Sequence, residues 1–279
     1  MNGTEQQLSG RRKSRSKRLS ERVWPILALC LIGLSVWLLP PFHLQELHLP
    51  EDLRSISQEE LRLTCDLEPG RHLLAELGGS LPLLFSLRYG AVEDRIRNRF
   101  PAVKDVAVYL DFPGAITCTV TERVEVAWLA IPDGCVMIDK DGVALKITAV
   151  PPGGIPVIEG ISVRSMILGK PLEVDVTEAM HRAISLLGAI IEADRDGRPE
   201  TTLLSQVTRI RPISGRQLYL TLIIPETGEE MTVLNETRAD LAEDMLWLRF
   251  ALDQKALSGR GKGILDMTGS RRTFIPDPQ

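Results

Sequence analysis

The chain has 279 residues, of which 44% are apolar and 25% are charged, a composition typical of folded proteins and unlike that of disordered chains. This length allows about two domains of ordinary size. The formal net charge of −4 is unevenly distributed, because residues 1–22 carry seven basic and two acidic side chains, a balance of +5 that leaves −9 for the rest. A basic N-terminal segment before an acidic remainder is first an indication of where the protein is located in the cell.

An apolar stretch without any charge follows the basic head, over residues 23–42. A helix of this length spans about 30 Å, the thickness of a bilayer core. Trp24 and Trp37 lie near its ends, where membrane proteins place aromatic side chains. We predict one transmembrane helix over 23–42, with residues 1–22 as a cytoplasmic tail and the body outside the cytoplasm. The orientation of the helix in the membrane and contact with anionic lipid headgroups then explain the basic cluster better than nucleic-acid binding does.

Beyond this stretch, the pattern predicts a first domain over residues 43–123 with the order strand, helix, helix, strand, strand. Ser57, followed three residues later by Glu60, forms a capping box that predicts the start of a short helix. Two alternating strands close the domain, and Pro113-Gly114 forms the turn between them. The expected structure is a small mixed sheet with two helices.

The remaining chain predicts a second α+β domain over residues 124–276, with a short tail at 277–279. A hairpin opens this domain, because Gly142 permits a tight turn. The next predicted elements are a helix with apolar residues from Ala179 to Ile191, strands over 207–213, 217–224 and 231–234, a helix over 237–257 and a hairpin over 264–275. We expect an antiparallel sheet that ends in a C-terminal edge strand.

The side chains predict neither catalysis nor metal binding. The three cysteines outside the apolar stretch include no CxxC pair, and no histidine has a second ligand at metal-binding spacing. Cys118 alternates with Ile116 and Val120, which predicts a buried apolar side chain. Asp139 and Asp141 flank a predicted turn, and turn geometry explains both. We therefore predict no catalytic residue, no metal and no cofactor.

The segment "FPAVKDVAVYLDFPGAITCTVTER", over residues 100–123, resembles the POTRA domain of the FtsQ/DivIB family of bacterial cell-division proteins. "CVMIDKDGVAL", "IPVIEG" and "GILDMTGSRRTFIP" resemble successive phrases of that family's second domain, in the same order. The resemblance implies a non-enzymatic scaffold that crosses the inner or plasma membrane once. It also implies enrichment at the division septum, where the protein would help control septal peptidoglycan synthesis.

The resemblance further implies FtsB/DivIC-like and FtsL-like partners, which would bind by adding a strand to the C-terminal edge. Carried over by position, the contacts fall on Thr268, Gly269, Arg271, Arg272, Thr273, Phe274 and Pro276. Among these we expect Phe274 to contribute most, as aromatic side chains do at interfaces. A second candidate surface is an exposed edge of the POTRA domain at Val124, Val126 and Trp128, or that domain's first strand.

Two other classes of protein stay open as alternatives. A POTRA-containing assembly or transport factor needs a long alternating barrel region, whereas the chain after Arg123 includes two strongly predicted helices. A membrane-anchored enzyme needs a nucleophile, an acid–base pair or a metal site in a defined arrangement, and the sequence suggests none of these. The scaffold is therefore the favoured hypothesis.

Overall fold

The computed structural model describes residues 13–195, 202–213, 215–269 and 271–277. The first twelve residues of the predicted basic tail and the last two residues of the predicted C-terminal tail lie outside these ranges. The chain divides into two compact units. The first comprises Met1–Leu53, Ser57–Ile96 and Val106–Val120, and the second comprises Arg54–Ile56, Arg97–Asp105 and Thr121–Gln279.

The first helix, α1 (Lys13–Trp37), begins ten residues before the predicted span, and a short 3-10 turn at Pro40–Phe42 follows it. Its large apolar side chains from Trp24 onward are exposed: Trp24, Ile26, Leu27, Leu29, Leu31, Ile32, Leu34 and Trp37. Among the residues that the structure describes, no helix combines the length and the apolarity that crossing a membrane requires.

A three-stranded sheet with helices follows. Its elements are β1 (Glu46–His48), α2 (Gln58–Cys65), α3 (Leu81–Phe85), α4 (Gly90–Arg99), β2 (Val103–Asp111) and β3 (Ala115–Glu122). The strand order is β1-β3-β2, with β1 parallel to β3. The predicted capping box is confirmed, since the Ser57 hydroxyl accepts a hydrogen bond from the Glu60 N–H at 3.2 Å. The short helix α3 was not predicted. Cys118 is buried, as predicted.

The second unit contains a large sheet and three helices. Its elements are β4 (Ala127–Ile131), β5 (Gly134–Ile138), β6 (Ala144–Thr148), β7 (Val157–Ile158), β8 (Val163–Ser165), β9 (Glu173–Val174), α5 (Thr177–Arg195), α6 (Leu203–Gln206), β10 (Val207–Pro212), β11 (Gln217–Ile223), β12 (Glu230–Glu236), α7 (Leu241–Asp253), β13 (Gly263–Asp266) and β14 (Thr273–Pro276). Nine of these strands form one sheet in the order β14-β13-β12-β11-β10-β7-β4-β5-β6. Strands β8 and β9 pair separately.

The nine-stranded sheet is mixed, which corrects the expectation of an antiparallel sheet. The pairs β12–β13, β10–β7 and β7–β4 are parallel. Helix α7 connects β12 to β13, and a connection that crosses over through a helix returns the chain in the same direction. The two-residue strand β7 joins the two halves of the sheet, and the alternation pattern does not predict so short a strand.

Helices α5 and α7 pack against each other and cover the sheet with one apolar core. Fully buried members of this core include Ala183, Leu186, Leu187, Ile190, Met245, Leu248, Leu220 and Val233. The apolar residues of α5 and α7 recur every three or four positions, so in each helix they lie on the one side that faces the core. Helix α7 begins at Leu241 with Asp240 at its N-cap position, and not at the predicted Thr237. The core therefore holds α7 in place near β13 and β14.

Candidate partner-binding edge

Strand β14 lies at one end of the nine-stranded sheet, and within the described residues only its side toward β13 is paired. Just beyond the strand, the Asp277 N–H donates to the Lys262 carbonyl at 3.0 Å. Hydrogen-bonded and non-hydrogen-bonded pairs alternate along an antiparallel ladder. The odd-numbered residues of β14 therefore direct their main-chain groups toward β13, and the even-numbered residues direct theirs toward the open side.

Phe274 and Pro276 are the even-numbered residues of this strand. Phe274 therefore offers one N–H and one carbonyl to the open side, whereas Pro276 offers a carbonyl alone. Proline is tolerated in a sheet where its nitrogen faces away from the neighbouring strand, which is the position of Pro276. The open edge thus offers the backbone donor and acceptor groups that strand addition needs, over a short length.

The two large side chains of β14 differ in environment. The Phe274 ring packs partly buried against the core and covers Gly263, where an added Cβ would lie 2.6 Å from the ring. The Arg260 guanidinium lies 6.0 Å from the centre of the same ring. Ile275 is 52% exposed. Phe274 therefore supports the hairpin itself, and Ile275, which the sequence analysis missed, is the apolar side chain free to meet a partner.

A buried carboxylate ties the segment before β14 to α7. Asp244 is 1% exposed and accepts hydrogen bonds from Arg238 Nη2 and Arg272 Nη2, each at 3.0 Å. Arg238 also donates to the carbonyls of Met267 and Thr268. Because Asp244 lies on a helix fixed in the core, these bonds hold the start of β14 at a defined position.

Two further contacts order the same segment. The Arg272 guanidinium lies 4.7 Å from the centre of the Trp247 ring. The Asp266 carboxylate accepts hydrogen bonds from the Thr268 N–H at 2.9 Å and from its hydroxyl at 2.7 Å. Arg238, Asp244 and Trp247 were not predicted, since a charged residue in a helix shows no sign of burial until its partners from distant segments are known.

All seven residues predicted for this site fall on one hairpin. Thr273, Phe274 and Pro276 lie in β14, and Thr268, Gly269, Arg271 and Arg272 lie in the segment that precedes it. The structure brings them together, and their contact with a partner stays a prediction.

Of the predicted exposed edge at Val124, Val126 and Trp128, only Val124 is exposed, at 66%, and the expectation of a free strand edge there is corrected by the structure. Strand β4 lies inside the sheet between β7 and β5, and Trp128 is opposite Val157 of β7. Val126 is 6% exposed and Trp128 is 1% exposed, so neither offers a free strand edge. The other candidate, the first strand, is at the end of its three-stranded sheet as β1, and its role stays a prediction.

The acidic pair at residues 139 and 141 has the turn role that was predicted. Asp139 Oδ1 accepts hydrogen bonds from the N–H groups of Asp141 and Val143, at 2.9 and 2.8 Å. Its other oxygen accepts one from Arg123 Nη1 at 2.7 Å. Over the described ranges, no three His, Cys, Asp or Glu side chains cluster as metal ligands. The carboxylate of Asp139 is therefore committed to the turn and to Arg123.

The chain is similar to part of a curated protein and to a solved structure, and no family model matches it. The cell division protein FtsQ of Streptomyces collinus is 35% identical over 82 residues, which are 29% of this chain and 31% of that protein. The extracytoplasmic domain of DivIB from Geobacillus stearothermophilus covers 48% of this chain and 97% of its own, at 17% identity and a TM-score of 0.30. Over the matched segment the chain is similar to a cell division protein, and it spans about a third of that relative's own length.

Proposed function

We propose that this protein is a single-pass divisome scaffold that binds FtsB/DivIC-like and FtsL-like partners through the open edge of β14. It helps control septal peptidoglycan synthesis through these partners and has no catalytic step of its own. The observation that carries the proposal is the unpaired main chain of Phe274 at the end of a nine-stranded sheet. A partner segment in extended conformation completes that edge.

The surroundings of β14 support this proposal. Ile275 exposes an apolar side chain beside the open edge and is 52% exposed. The bonds from Arg238 and Arg272 to Asp244 fix the strand before any partner arrives. A preformed edge favours affinity, because little conformational freedom is lost on binding.

The membrane location is also part of the proposal. The charge-free stretch over residues 23–42 and the exposed apolar side chains of α1 support a helix in the inner or plasma membrane. In this proposal the basic residues before it favour a cytoplasmic N-terminus, with the POTRA domain (43–123) and the second domain (124–276) outside the cytoplasm. The protein is then positioned to gather other membrane-anchored division proteins at the septum.

The test uses the full chain in detergent and the extracytoplasmic segment of the FtsB/DivIC-like protein from the same cell. Phe274→Ala removes the ring and keeps the outward N–H, whereas Phe274→Pro removes both. We expect Phe274→Pro to bind about 3- to 10-fold more weakly than Phe274→Ala, the effect of one main-chain hydrogen bond. Equal affinities of the two variants would remove this edge from the proposal.

A second pair of variants tests the side chain. Ile275→Glu places a carboxylate beside the edge, and Val176→Glu places one at a similarly exposed site, since these residues are 52% and 54% exposed. We expect a loss of about 10-fold or more for Ile275→Glu only, because the interface must desolvate the charge. A wild-type chain that is folded and binds neither FtsB/DivIC-like nor FtsL-like segments would contradict the proposed function.

A further inference from the structure

Helix α3 of the first unit presents large apolar side chains to the outside. Leu81 is 72% exposed, Leu84 is 44% exposed and Phe85 is 85% exposed, and Leu87, directly after the helix, is 46% exposed. Four exposed apolar side chains within seven consecutive residues mark a candidate contact with a partner or a membrane.

Local hydrogen bonds hold these side chains in their outward positions. The Ser80 hydroxyl caps the first turn of α3, and the Ser86 hydroxyl donates to the Pro82 carbonyl at 2.9 Å. The Arg88 N–H donates to the Leu83 carbonyl at 2.9 Å. The exposure of the apolar residues is therefore a property of a defined fold and not of an unstructured loop.

The position of α3 in the first unit follows from its neighbours. Arg88 pairs with Tyr109 of β2 in antiparallel orientation, and the Leu110 N–H donates to the Leu87 carbonyl at 2.9 Å. This bond places Leu87 beside Leu110, two residues before Phe112. Phe112 is itself 58% exposed, so it extends the apolar group.

The same end of the first unit is where α1 joins it. The ring of Phe42, five residues after α1 ends at Trp37, lies 5.6 Å from the ring of Phe112. Trp37 stacks on His72 with 3.5 Å between ring centres. The end of α1, Phe42 and Phe112 therefore lie at one end of this unit.

We propose that Leu81, Leu84, Phe85, Leu87 and Phe112 form a lipid-contacting foot, which inserts into the boundary between headgroups and acyl chains of the membrane that holds α1. The proposal rests on the membrane location given under the proposed function. The α3 sequence "LPLLF" has no charged side chain that would select a protein partner. Apolar burial in lipid is non-directional and requires none.

The lipid-contacting foot reaches the boundary between headgroups and acyl chains and does not enter the hydrocarbon core. Asp111, next to Phe112, is exposed, and its charge is stable only in the hydrated headgroup layer. Such a shallow contact fixes the tilt of the first unit relative to the bilayer, because a second attachment beside α1 restricts rotation about the segment between α1 and β1. The orientation of the first unit is then set by the membrane.

The test uses the full chain in phosphatidylcholine vesicles, with Cys30→Ser to remove the exposed native thiol. A fluorescent label is attached at Phe85→Cys or at Leu81→Cys, and nitroxide groups near the lipid headgroups quench it. Leu63→Cys is the matched control, because Leu63 is 70% exposed on α2 of the same unit. We expect about threefold stronger quenching at the two α3 positions than at the control, as for side chains at the acyl boundary.

Equal quenching at all three positions would overturn the proposed lipid contact. It would also be overturned if the α3 labels became shielded from solvent only after division-protein segments are added, since that result would indicate a protein partner. Vesicle flotation is run in parallel, and a wild-type chain that does not float overturns the membrane location and the foot together. The variant Phe85→Asp separates the foot from partner binding, since we expect it to lower quenching at Leu81→Cys and to leave the affinity for FtsB/DivIC-like segments unchanged.

Discussion

Arg272 Nη2 lies 3.0 Å from Asp244 Oδ1, and this bond joins two residues 28 positions apart in the chain. It connects α7 with the segment that enters β14. The carboxylate is 1% exposed, so water does not replace a lost partner. The geometry of the open edge therefore depends on one buried charge in a neighbouring helix.

We predict that Asp244→Ala destabilises the β13–β14 hairpin by about 3 kcal/mol, because two guanidinium groups lose their buried counter-charge. Arg272→Ala should cost about 1 kcal/mol or less, since the Arg272 side chain is 30% exposed and screened by water. Hydrogen exchange of the β13 and β14 amides measures both effects. Glu243→Ala, an exposed acid in the same turn, is the control, and equal exchange in the Asp244 and Glu243 variants would contradict the prediction.

A second prediction concerns Gly263. A Cβ at this position would lie 2.5 Å from the Ile275 carbonyl oxygen and 2.6 Å from the Phe274 ring. Gly263→Ala should therefore destabilise the hairpin by about 2 kcal/mol through overpacking. At Gly188, in α5, an added Cβ meets nothing within 4 Å, so Gly188→Ala should stabilise the protein by about 0.5–1 kcal/mol. Thermal unfolding followed by circular dichroism should show shifts of opposite sign, and a common sign would refute the steric argument.

A third prediction concerns the pH dependence of the first unit. The Tyr89 hydroxyl is buried and donates to the Leu73 carbonyl at 2.6 Å. Burial, with a smaller effect of the Glu76 carboxylate, raises the pKa of Tyr89 to about 12. The folded state favours the neutral form, so this contribution to stability is complete below the ordinary tyrosine pKa of about 10 and is lost as the pH rises through about 12.

The measurement is a phenolate absorbance titration of the wild-type chain and of Tyr89→Phe. The difference between the two curves should be one step near pH 12. A difference step near the ordinary tyrosine pKa of about 10 would show that the hydroxyl is not held in a buried site.

Local signals in the sequence predicted the local structure well. The capping box at Ser57 and Glu60 starts α2, and Gly142 permits the turn between β5 and β6. Strands β10, β11 and β12 lie within about two residues of their predicted bounds, because each alternates in polarity and ends at a turn. The order of these elements was also sufficient to find the C-terminal hairpin.

Long-range pairing was not predictable from one sequence. The pattern at Trp128 is typical of an edge as much as of a central strand, and the two-residue strand β7 decides between them by pairing with β4. The burial of Asp244 depends on Arg238 and Arg272, which approach it from different segments. Polarity and spacing describe a residue's own segment, whereas these features arise from contacts between segments that only the folded chain defines.

The missing N–H of Pro276 has a consequence for how the protein meets copies of itself. Two copies of β14 that paired along their edges would each need backbone N–H donors on the open side. In each copy Pro276 lacks that donor. The outward donor of Phe274 remains, and this single donor is too little to pair two copies of the chain along β14. An extended segment that pairs with this edge would need side-chain contacts to supply the missing affinity, so its selectivity would depend on the fit of those side chains.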